Sequence, residues 1–299
     1  MELSTICVAL CADKNIEVGL HVTLYSLLES QQHSVRIYFL QKGYNSADIV
    51  KIQKTLQPFD GKYELKVIDF DDHIFSKYRG LYGNKFTFVR LMLSSLLPED
   101  KVIYLDSDLV VKKDLSSLFC LNLNEYVIGV SGIGNIGYSL ENKFFISIGL
   151  DNDARYFNAG VMLINLEKWR QLNITKQCLE FADKYPNMLL AADQTILNYV
   201  FYKNNFYELD KSYNVALYPS SVFIESDSTN GVFHFVGSPK PWDFLGEFIH
   251  SNYPLFQSIL SKTEFKNYKT YLDLSFAKLK RTLRLSRSYY KISTNRFRQ

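Results

Sequence analysis

The sequence predicts an α/β fold in which helices flank a single, mostly parallel sheet. Short apolar runs bounded by turn residues alternate with segments of helical period through the first half of the chain, which is typical of parallel strands joined by helices. Of the 299 residues, 47% are hydrophobic and 22% are charged, a balance that allows a large core. We therefore expect one Rossmann-like main domain with smaller additions.

The predicted elements begin in the order strand, helix, strand, helix, strand, helix, strand. Apolar runs predict strands at residues 5–12, 36–41, 64–70 and 101–105. Apolar residues at helical spacing predict the intervening helices at 18–29, 47–56 and 88–97. Further strands are predicted at 159–166 and 232–236, and further helices at 167–184 and 192–203. After Trp242 the pattern weakens, and a small helical region followed by a basic tail is expected.

The charge of the chain is distributed unevenly. The formal net charge is +3, but residues 262–299 contain eleven Lys and Arg against two acidic residues, so the first 261 residues are net acidic by about six charges. In the tail from Tyr271, apolar residues recur at helical spacing among basic ones. They are Leu272, Phe276, Leu279 and Leu283, among Lys278, Lys280, Arg281, Arg284 and Arg287. Such a segment suits an anionic membrane surface, or a helix packed on its own domain with its charges in solvent.

The cysteines and the start of the chain bear on the compartment. Cys7, Cys11, Cys120 and Cys178 lie in apolar surroundings without Cys-x-x-Cys spacing, so reduced core cysteines are expected. The apolar run 6–12 has no basic segment before it and resembles a first core strand more than a signal peptide. A cytoplasmic protein is expected, peripheral on the inner face of the cell membrane if the tail binds lipid. No nucleic-acid partner is expected.

Two predicted strands end in polar residues that point to a ligand site. In sheets of this class, ligands bind outside the carboxyl ends of the strands. The first strand ends in Asp13-Lys14-Asn15, and the fourth ends in Asp106-Ser107-Asp108. These two strand ends are therefore the first places to look for function.

Asp106 and Asp108 flank one residue, so both carboxylates can face one point. Two unpaired negative charges about 4 Å apart would repel by roughly 4 kcal/mol at an effective dielectric constant near 20, so a cation is expected between them. Oxygen ligands together with an imidazole suit Mn²⁺ or Mg²⁺ in octahedral coordination, with positions left for phosphate oxygens. The alternative is that Asp106 caps a helix and Asp108 is solvated, because Asp-x-Asp is common by chance.

The segment 234–242 follows an apolar run and has an unusual composition. It combines one imidazole, one glycine, two prolines and one lysine. Gly237 lets backbone approach a ligand, the prolines stiffen the loop, and Lys240 supplies a point charge for a phosphate. The alternative is a structural loop in which His234 is satisfied within the core.

Together these residues resemble glycosyltransferase family eight, the retaining enzymes that include glycogenin and bacterial lipopolysaccharide galactosyl- and glucosyltransferases. The resemblance spans about residues 5–245, and the motifs occur in the order of the family. They are Ala12-Asp13-Lys14-Asn15, Phe88-Val89-Arg90, Tyr104-Leu105-Asp106-Ser107-Asp108, Tyr156-Phe157-Asn158-Ala159-Gly160, Asp193-Gln194-Thr195-Ile196-Leu197-Asn198 and the loop from His234 to Trp242. The resemblance implies a glycosyltransferase A-type fold, with a catalytic nucleotide-sugar-binding domain at 1–245 and a helical, basic extension at 246–299.

The resemblance also implies roles for single residues. Asp106, Asp108 and His234 would bind Mn²⁺ or Mg²⁺, while Lys240 and Gly237 would contact the diphosphate of the donor. The remaining donor-binding residues are implied at the nucleotide and sugar ends of the site. They are Asp13 and Asn15, with the backbone near Ala9 and Leu10, for the uracil and ribose, and Arg90, Asn158, Asp193 and Gln194 for the sugar. Ser107 and Ala159 are also implied as donor-binding residues.

The catalytic candidates among these residues are Arg90, Asp193 and Gln194. Each sugar-side residue also has a simpler interpretation: Arg90 as a charge on a helix surface, Asn158 as a turn residue, and Asp193 as the N-cap of the following helix. By resemblance, transfer of a galactose or glucose from a uridine diphosphate (UDP) sugar would retain the α configuration. Two routes remain open, attack from the leaving-group face or double displacement through Asp193 or Gln194, and we favour the first.

Two other functions use similar residues. A nucleotidyltransferase would also place strand-end aspartates and a metal on nucleotide phosphates, but it would release pyrophosphate instead of UDP. A non-catalytic sugar-nucleotide binder would bind the donor without turnover. The acceptor is expected to be a bacterial surface saccharide such as lipopolysaccharide, either free or lipid-linked, and to meet the loops at 138–153 and 213–230.

One further motif satisfies a nucleotide-binding pattern but is expected to be a decoy. Residues 132–137 match the dinucleotide-binding pattern Gly-x-Gly-x-x-Gly after an apolar run. That fingerprint must open a helix in a tight strand-turn-helix unit, and the stretch that follows here has little helical period. A dinucleotide site is therefore not predicted.

Overall fold

The computed structural model describes residues 5–81, 84–203, 205–221, 230–272 and 276–296. Its centre is a seven-stranded sheet with the strand order β10-β6-β9-β4-β1-β2-β3. The strands of this sheet are β1 (Thr5–Asp13), β2 (Ser34–Lys42), β3 (Tyr63–Asp69), β4 (Lys101–Leu105), β6 (Ile128–Val130), β9 (Val161–Asn165) and β10 (Tyr207–Glu208).

The central sheet is mostly parallel. β1 runs parallel to both β2 and β4, β2 to β3, and β10 to β6. Only β9 is antiparallel, and it lies between β4 and β6. The mixed α/β fold with a mostly parallel sheet is therefore confirmed, and the parallel strands bring the ends of β1 and β4 to the same edge.

Both faces of the central sheet are buried, which explains why its strands read as continuous apolar runs. Because side chains alternate along a strand, Val8 and Ile103 pack in the core cluster under the first helix, Glu17–Ser30. Ala9 and Tyr104 pack on the opposite face with Phe88 and its neighbours. The buried sheet thus fixes the positions of the polar residues at the ends of its strands.

Two smaller sheets flank the central one. The strands β11 (Val215–Ala216), β12 (Val232–His234) and β5 (Leu109–Val111) form a three-stranded sheet, and β7 (Ile133–Asn135) pairs with β8 (Arg155–Phe157). The strand predicted at 232–236 is therefore present but ends at His234 and belongs to the smaller sheet. There β12 runs antiparallel to β5, with His234 opposite Leu109.

The helices confirm the predicted alternation, with several differences in detail. They are α1 (Glu17–Ser30), α2 (Ser46–Leu56), α3 (Leu93–Leu96), α4 (Ser116–Cys120), α5 (Asn142–Ser147), α6 (Leu166–Gln171), α7 (Ile174–Lys184), α8 (Asp193–Val200), α9 (Gly246–Ile249), α10 (Tyr253–Leu260), α11 (Phe276–Arg284) and α12 (Ser286–Arg296). Short 3-10 helices lie at Lys14–Ile16, Gln57–Phe59, Asp72–Phe75, Phe86–Met92, Ile136–Tyr138 and Lys211–Tyr213.

Two predicted helices are wrong in form. The segment 88–97 is a 3-10 helix, Phe86–Met92, that continues into the short α3, and apolar spacing over two turns does not distinguish these two periods. The segment 167–184 is broken into α6 and α7 because Asn173 adopts a left-handed conformation with φ 51°, which asparagine tolerates better than most residues.

The last helices pack on the body of the protein. Phe256 and Ile259 of α10 are buried in a cluster with Val22 of α1 and Trp242. Arg281 of α11 donates hydrogen bonds of 2.6 and 2.9 Å to the buried carboxylate of Asp243. Among the described residues, none of the helices combines the length and the apolar character needed to cross a membrane.

The four cysteines are free. Cys7 and Cys178 are buried and Cys11 is half-buried, as expected for core residues. Cys120 is exposed, so its expected place in the core is wrong. It is the last residue of the short helix α4, where a five-residue run does not reveal which face is covered.

Candidate active site

The structure brings Asp106, Asp108 and His234 together at the carboxyl edge of the sheet. Nε2 of His234 lies 3.1 Å from Oδ1 of Asp108 and 3.8 Å from Oδ2 of Asp106. The backbone explains the meeting, because β5 begins directly after Asp108 and pairs with β12, which ends at His234. One potential ligand atom from each of the three residues lies within 4.8 Å of the others.

Asn214 determines which ring nitrogen of His234 carries the proton. The backbone N–H of Gly160 donates to Oδ1 of Asn158 at 2.9 Å, which identifies that atom as an oxygen. Nδ2 of Asn214 also donates to this oxygen at 2.9 Å, so the opposite atom of the Asn214 amide is Oδ1. It lies 3.0 Å from Nδ1 of His234 and must accept a proton from it. Nε2 therefore presents a lone pair to the two aspartates.

This arrangement fits a cation. Oδ1 of Asp108 is buried and accepts no hydrogen bond, although Nε2 of His234 lies 3.1 Å away. With the proton on Nδ1, two electron pairs face each other there, so the short distance alone is not a stabilising contact. Two carboxylates and one neutral imidazole are a suitable ligand set for Mn²⁺ or Mg²⁺, and a hydrogen bond from the second ring nitrogen is the usual support of a metal-binding histidine.

Gly160 makes room for the His234 ring. A Cβ atom at this position would lie 2.2 Å from Cε1 and 2.6 Å from Nδ1 of His234. The backbone of Gly160 also accepts a hydrogen bond from the N–H of Asp106 at 2.8 Å. Position 160 therefore requires glycine, because the His234 ring packs directly against its backbone.

Arg90 lies at the centre of the charged network. Its guanidinium is 2.7 Å from Asp106 and 2.9 Å from Asp193, and it donates to the Ala159 carbonyl at 2.7 Å. It also lies over the ring of Tyr104, 4.3 Å from the centroid. Burial alone would lower the pKa of Arg90, but the carboxylates of Asp106 and Asp193 outweigh burial and raise it. The interpretation of Arg90 as a surface charge is wrong, because the residue is only 5% exposed.

Lys240 approaches the same site from the loop after β12. Its Nζ lies 2.6 Å from Oδ2 of Asp108 and also contacts the Phe235 carbonyl. The loop turns at Gly237, whose φ is +78°, and contains a cis peptide bond between Ser238 and Pro239. Burial alone would raise the pKa of Asp108, but the ammonium of Lys240 is the leading opposing influence, and the pKa lies well below its usual range.

Asp193 and Gln194 occupy the start of α8. Asp193 is 3% exposed, and burial is the main cause that raises its pKa to about 6, against the opposing effect of Arg90. It is the first residue of the helix, whose N-cap position is Ala192, so the N-cap interpretation of Asp193 is wrong. Its carboxylate is paired with Arg90.

The amide of Gln194 is held on both sides. Its Oε1 accepts hydrogen bonds from Nδ2 of Asn158 at 3.2 Å and from the backbone N–H of Ala159 at 3.1 Å. Its Nε2 donates to the hydroxyl of Tyr156 at 2.7 Å. Asn158 thus serves as a link between Gln194 and the Asn214–His234 pair, which is more than a turn residue does.

The residues predicted for the nucleotide half lie at the end of β1. Asp13 accepts a hydrogen bond from the Asn15 N–H at 2.9 Å. The Tyr44 hydroxyl donates to the Asp13 carbonyl at 3.1 Å, and Lys14 lies 5.1 Å from the centre of the Tyr44 ring. Tyr44 was not predicted, because it follows β2 in a loop without a motif.

Ala9, Leu10 and Ser107 differ in their positions. Ala9 and Leu10 are fully buried within β1, where they pair with β2 and β4 before the strand ends. Ser107 lies at the strand edge, and its hydroxyl is 3.4 Å from the carbonyl of Cys11, to which it donates. The backbone at Cys11 is thus nearer to the predicted site than the backbone at Ala9.

The glycine pattern at 132–137 is not part of a strand-turn-helix unit. Residues Ile133–Asn135 form β7, which pairs with β8, and a single 3-10 turn follows at Ile136–Tyr138. The expectation that this pattern is a decoy is confirmed.

Comparison with known proteins agrees with this geometry. The sequence model of the family described as Glycosyl transferase family 8 matches residues 7–246. General stress protein A of Bacillus subtilis is 26% identical over 252 residues, which cover 78% of this chain and 86% of that protein. Lipopolysaccharide 1,2-glucosyltransferase of Escherichia coli is 26% identical, with 79% of this chain and 72% of that protein covered. The chain spans only 29 to 57% of the pneumococcal glycosyltransferases GlyA, GlyF and GlyE.

The fold has a solved counterpart. The crystal structure of galactosyltransferase LgtC in complex with donor and acceptor sugar analogues superimposes with a TM-score of 0.72 at 24% identity, covering 87% of this chain and 96% of that one. The fold is therefore of the glycosyltransferase A-type. Since the family model covers most of the sequence, from the first strand to the loop after His234, this chain belongs to glycosyl transferase family 8.

Proposed function

We propose that the protein transfers a hexose from a UDP-hexose to a saccharide acceptor with retention of the anomeric configuration, and that the reaction needs a divalent metal. The observation that carries the proposal is the convergence of Asp106, Asp108, His234 and Lys240 at the edge of the sheet where β1 also ends. Three potential metal ligands, together with a lysine ammonium that is paired with one of them, suit a diphosphate placed beside a nucleotide site.

The metal would be held by Asp106, Asp108 and His234. When bound, Mn²⁺ or Mg²⁺ would act as a Lewis acid on the negative charge that develops on the departing diphosphate. Lys240 adds a second positive charge at the same end of the donor. Its ammonium group would exchange Asp108 for a phosphate oxygen and so would remain ion-paired. Asn214 keeps the ring of His234 in the tautomer that such a metal needs.

The sugar would lie against Arg90, Asn158, Asp193 and Gln194. Both acceptor positions of Gln194 Oε1 already receive N–H groups, from Asn158 and Ala159, so this amide oxygen is a poor nucleophile. Asp193 is buried against Arg90, which opposes a role as an exposed nucleophile. These contacts support attack of the acceptor hydroxyl from the face of the leaving group. The bond from the anomeric carbon to the diphosphate would break, the bond to the acceptor oxygen would form, and the departing phosphate oxygen would take the acceptor proton. The amide dipole of Gln194 would lie beside the cationic sugar.

Similar proteins support the choice of substrates. The names of the lipopolysaccharide 1,2-glucosyltransferase and of galactosyltransferase LgtC specify glucose and galactose, so we infer a UDP-glucose or UDP-galactose donor. A bacterial surface glycan is the acceptor we propose. Of the two loops predicted to meet it, 138–153 is described, whereas residues 222–229 of the second lie outside the described residues.

The proposal is tested by measuring nucleotide release from a panel of sugar nucleotides by the full chain. UDP-glucose and UDP-galactose are compared with a guanosine diphosphate sugar as the control donor, with Mn²⁺, with a chelator, and with Mn²⁺ restored. We expect UDP release from one of the UDP-hexoses only when the metal is present, and faster release with an acceptor saccharide. Magnetic resonance of the product then reports the anomeric configuration.

The same measurement separates the two competing functions. Release of pyrophosphate in place of UDP would identify a nucleotidyltransferase. Tight binding of a UDP-hexose without release of UDP, with or without acceptors, would identify a sugar-nucleotide binder. Either result would overturn the transferase proposal.

We also propose that residues 1–245 form the catalytic unit and that the C-terminal helices dock it on an anionic membrane surface. Two contacts fix the inner face of α11 and α12 to the body of the protein. Arg281 donates to the carboxylate of Asp243, and the Tyr289 hydroxyl donates to the Phe244 carbonyl at 2.7 Å. The outer face exposes Leu279, Leu283 and Tyr290, which are 54%, 69% and 72% exposed. Packing on the body therefore leaves an apolar stripe beside basic residues, which suits an anionic bilayer. The side chain of Phe276 lies outside the described residues.

Vesicle flotation tests this docking. We expect the wild-type protein to float with vesicles that contain phosphatidylglycerol and less with pure phosphatidylcholine. The double variant Leu279→Ser/Leu283→Ser should float less with both. Leu140→Ser removes an apolar side chain of 81% exposure on another part of the surface and should float like wild type. Equal flotation of all three proteins would contradict membrane docking through this stripe.

A further inference from the structure

Glu141 is a buried carboxylate that none of the proposed binding steps uses. It is 1% exposed and lies at the N-cap position of α5. Its Oε1 accepts hydrogen bonds from the Thr195 hydroxyl at 2.7 Å and from the Tyr156 hydroxyl at 3.1 Å. Burial is the main cause that raises the pKa of Glu141, and the two hydroxyl groups oppose it. Burying a carboxylate this deeply costs free energy of folding unless hydrogen bonds satisfy its oxygens.

The hydrogen bond from Tyr156 connects Glu141 to Gln194. The Tyr156 hydroxyl has one proton, which it donates to Glu141, so its oxygen is left to accept from Nε2 of Gln194 at 2.7 Å. The opposite atom of the amide, Oε1, already accepts from Asn158 and Ala159. Glu141 therefore sets the donor and acceptor direction of each hydrogen bond from Tyr156 to Gln194. It thereby prevents the Gln194 amide from exchanging the positions of its oxygen and nitrogen.

The hydrogen bond from Thr195 connects Glu141 to the turn before Asp193. Because Thr195 donates its proton to Glu141, its oxygen is free to accept from the backbone N–H of Ala191 at 3.0 Å. Between them lies Ala192, with φ 53° and ψ −123°, a conformation that a residue with a Cβ adopts only under restraint. Asp193 follows Ala192 directly, so the direction of its carboxylate depends on this turn.

We propose that Glu141 is a positioning residue that, through Tyr156 and Thr195, holds the strained turn at Ala192 and fixes Asp193 and Gln194 against the donor sugar. The inference rests on the proposed function, since it assumes that the sugar lies at these two residues. Glu141 itself touches neither the metal ligands nor the nucleotide half. Its removal should therefore affect the chemical step and leave nucleotide binding unchanged.

Two variants test the arms, one at the residue that both arms share and one on the arm to Gln194 alone. In Glu141→Gln, the negative charge is lost and one of the two carboxylate oxygens becomes an N–H donor, so the Tyr156 hydroxyl, which lies 3.1 and 3.2 Å from the two oxygens, loses one of its acceptors. In Tyr156→Phe, the arm to Gln194 is lost while Thr195 keeps its contact with Glu141. For both variants we expect kcat for donor turnover to fall roughly tenfold or more, because small displacements of a catalytic group are costly. The donor KM and the Kd of UDP should stay within about twofold of wild type.

Hydrogen–deuterium exchange supplies a readout that does not depend on activity. We expect Glu141→Gln to speed amide exchange in a peptide covering residues 189–197 and to leave α7 unchanged. Thr55→Ala is the matched control, because Thr55 is 2% exposed and contacts His21 Nδ1 at 2.6 Å on the other side of the sheet. It should lower stability without changing kcat or exchange at 189–197.

The outcomes separate this inference from the proposed function. Wild-type exchange at 189–197 in Glu141→Gln would overturn the inference, as would faster exchange with an unchanged kcat. A fall in stability with proportional loss of UDP binding would reduce Glu141 to a structural residue and would also overturn it. Failure of the wild-type protein to release UDP from any donor would instead overturn the proposed function, while the exchange result would still decide whether Glu141 holds the turn.

Discussion

Oδ1 of Asn214 lies 3.0 Å from Nδ1 of His234 and fixes the ring so that Nε2 faces Asp108. The two residues are twenty positions apart in the chain and meet because β11 and β12 pair side by side. The contact directs the lone pair of Nε2 toward the two aspartates, and it connects the proposed metal site to Asn158 and thus to the proposed sugar side.

Asn214 should therefore tune metal affinity without touching the metal. We expect Asn214→Leu to weaken Mn²⁺ binding by about 10- to 100-fold, the usual effect of losing a hydrogen bond behind a metal ligand. Asn214→Asp keeps an oxygen for Nδ1–H but turns the donor to Asn158 into an acceptor, so it should recover only part of the affinity lost in Asn214→Leu. Isothermal titration with Mn²⁺ in the presence of UDP measures both. Equal affinity of Asn214→Leu and wild type would mean that His234 is oriented by other contacts.

Gly160 offers a steric test of the same site. A Cβ atom there would lie 2.2 Å from the His234 ring, so Gly160→Ala should displace the ring and abolish Mn²⁺-dependent UDP release. Gly134→Ala is the matched control, because a Cβ atom at Gly134 meets nothing within 4 Å. The variants are compared by nucleotide release and by thermal unfolding. Full activity of Gly160→Ala would show that His234 need not occupy its observed position.

Arg90 should matter for folding as well as for catalysis. Arg90→Met leaves the buried carboxylate of Asp193 and the half-buried carboxylate of Asp106 without their shared partner, and we expect a loss of about 3–5 kcal/mol in the free energy of unfolding. Arg155→Met removes an ion pair to Glu208 whose side chains are 32% and 51% exposed, and should cost less than about 1 kcal/mol. Urea unfolding measures both. A similar small loss in the two variants would contradict the central position given to Arg90.

A buried histidine away from the active site should make stability depend on pH. His21 is fully buried, and burial is the main cause that lowers its pKa from 6.5 to about 3. Between these values the unfolded chain binds a proton that the folded protein excludes. The stability due to neutral His21 is thus complete above pH 6.5 and is lost as the pH falls toward 3, at about 1.4 kcal/mol per pH unit.

His21→Gln should flatten this part of the stability profile. Thr55→Val removes the hydrogen-bonding partner of His21 but keeps the buried imidazole, so it should lower stability and keep the slope. Urea unfolding between pH 4 and pH 7 separates the two effects. An unchanged slope in His21→Gln would exclude His21 as the cause.

Much of the fold follows from the sequence because the strands of the central sheet are buried on both faces. Continuous apolar runs at 5–12 and 101–105 therefore predicted β1 and β4 to within one residue. The break between α6 and α7 was missed because it depends on the left-handed backbone of Asn173, and apolar period does not reveal a single residue in that conformation.

The site was predictable only in part. The residue types at Asp106, Asp108 and Lys240 indicate phosphate and metal chemistry on their own, whereas the pairing with His234 came from the family resemblance, since 126 positions separate it from Asp108 in the printed sequence. Asn214, Tyr156 and Glu141 act through hydrogen bonds between separate elements. Such partners depend on the tertiary packing of the loops, and one sequence contains no local pattern that specifies them.

The most direct test of the account is to count the Mn²⁺ ions bound in the presence of UDP by electron paramagnetic resonance in wild type, Asp108→Ala and His234→Ala. We expect one bound Mn²⁺ per wild-type chain and none in either variant at the same concentrations, with Thr55→Ala binding as wild type does. One tightly bound Mn²⁺ in His234→Ala or Asp108→Ala would contradict the metal site on which the proposed transfer depends.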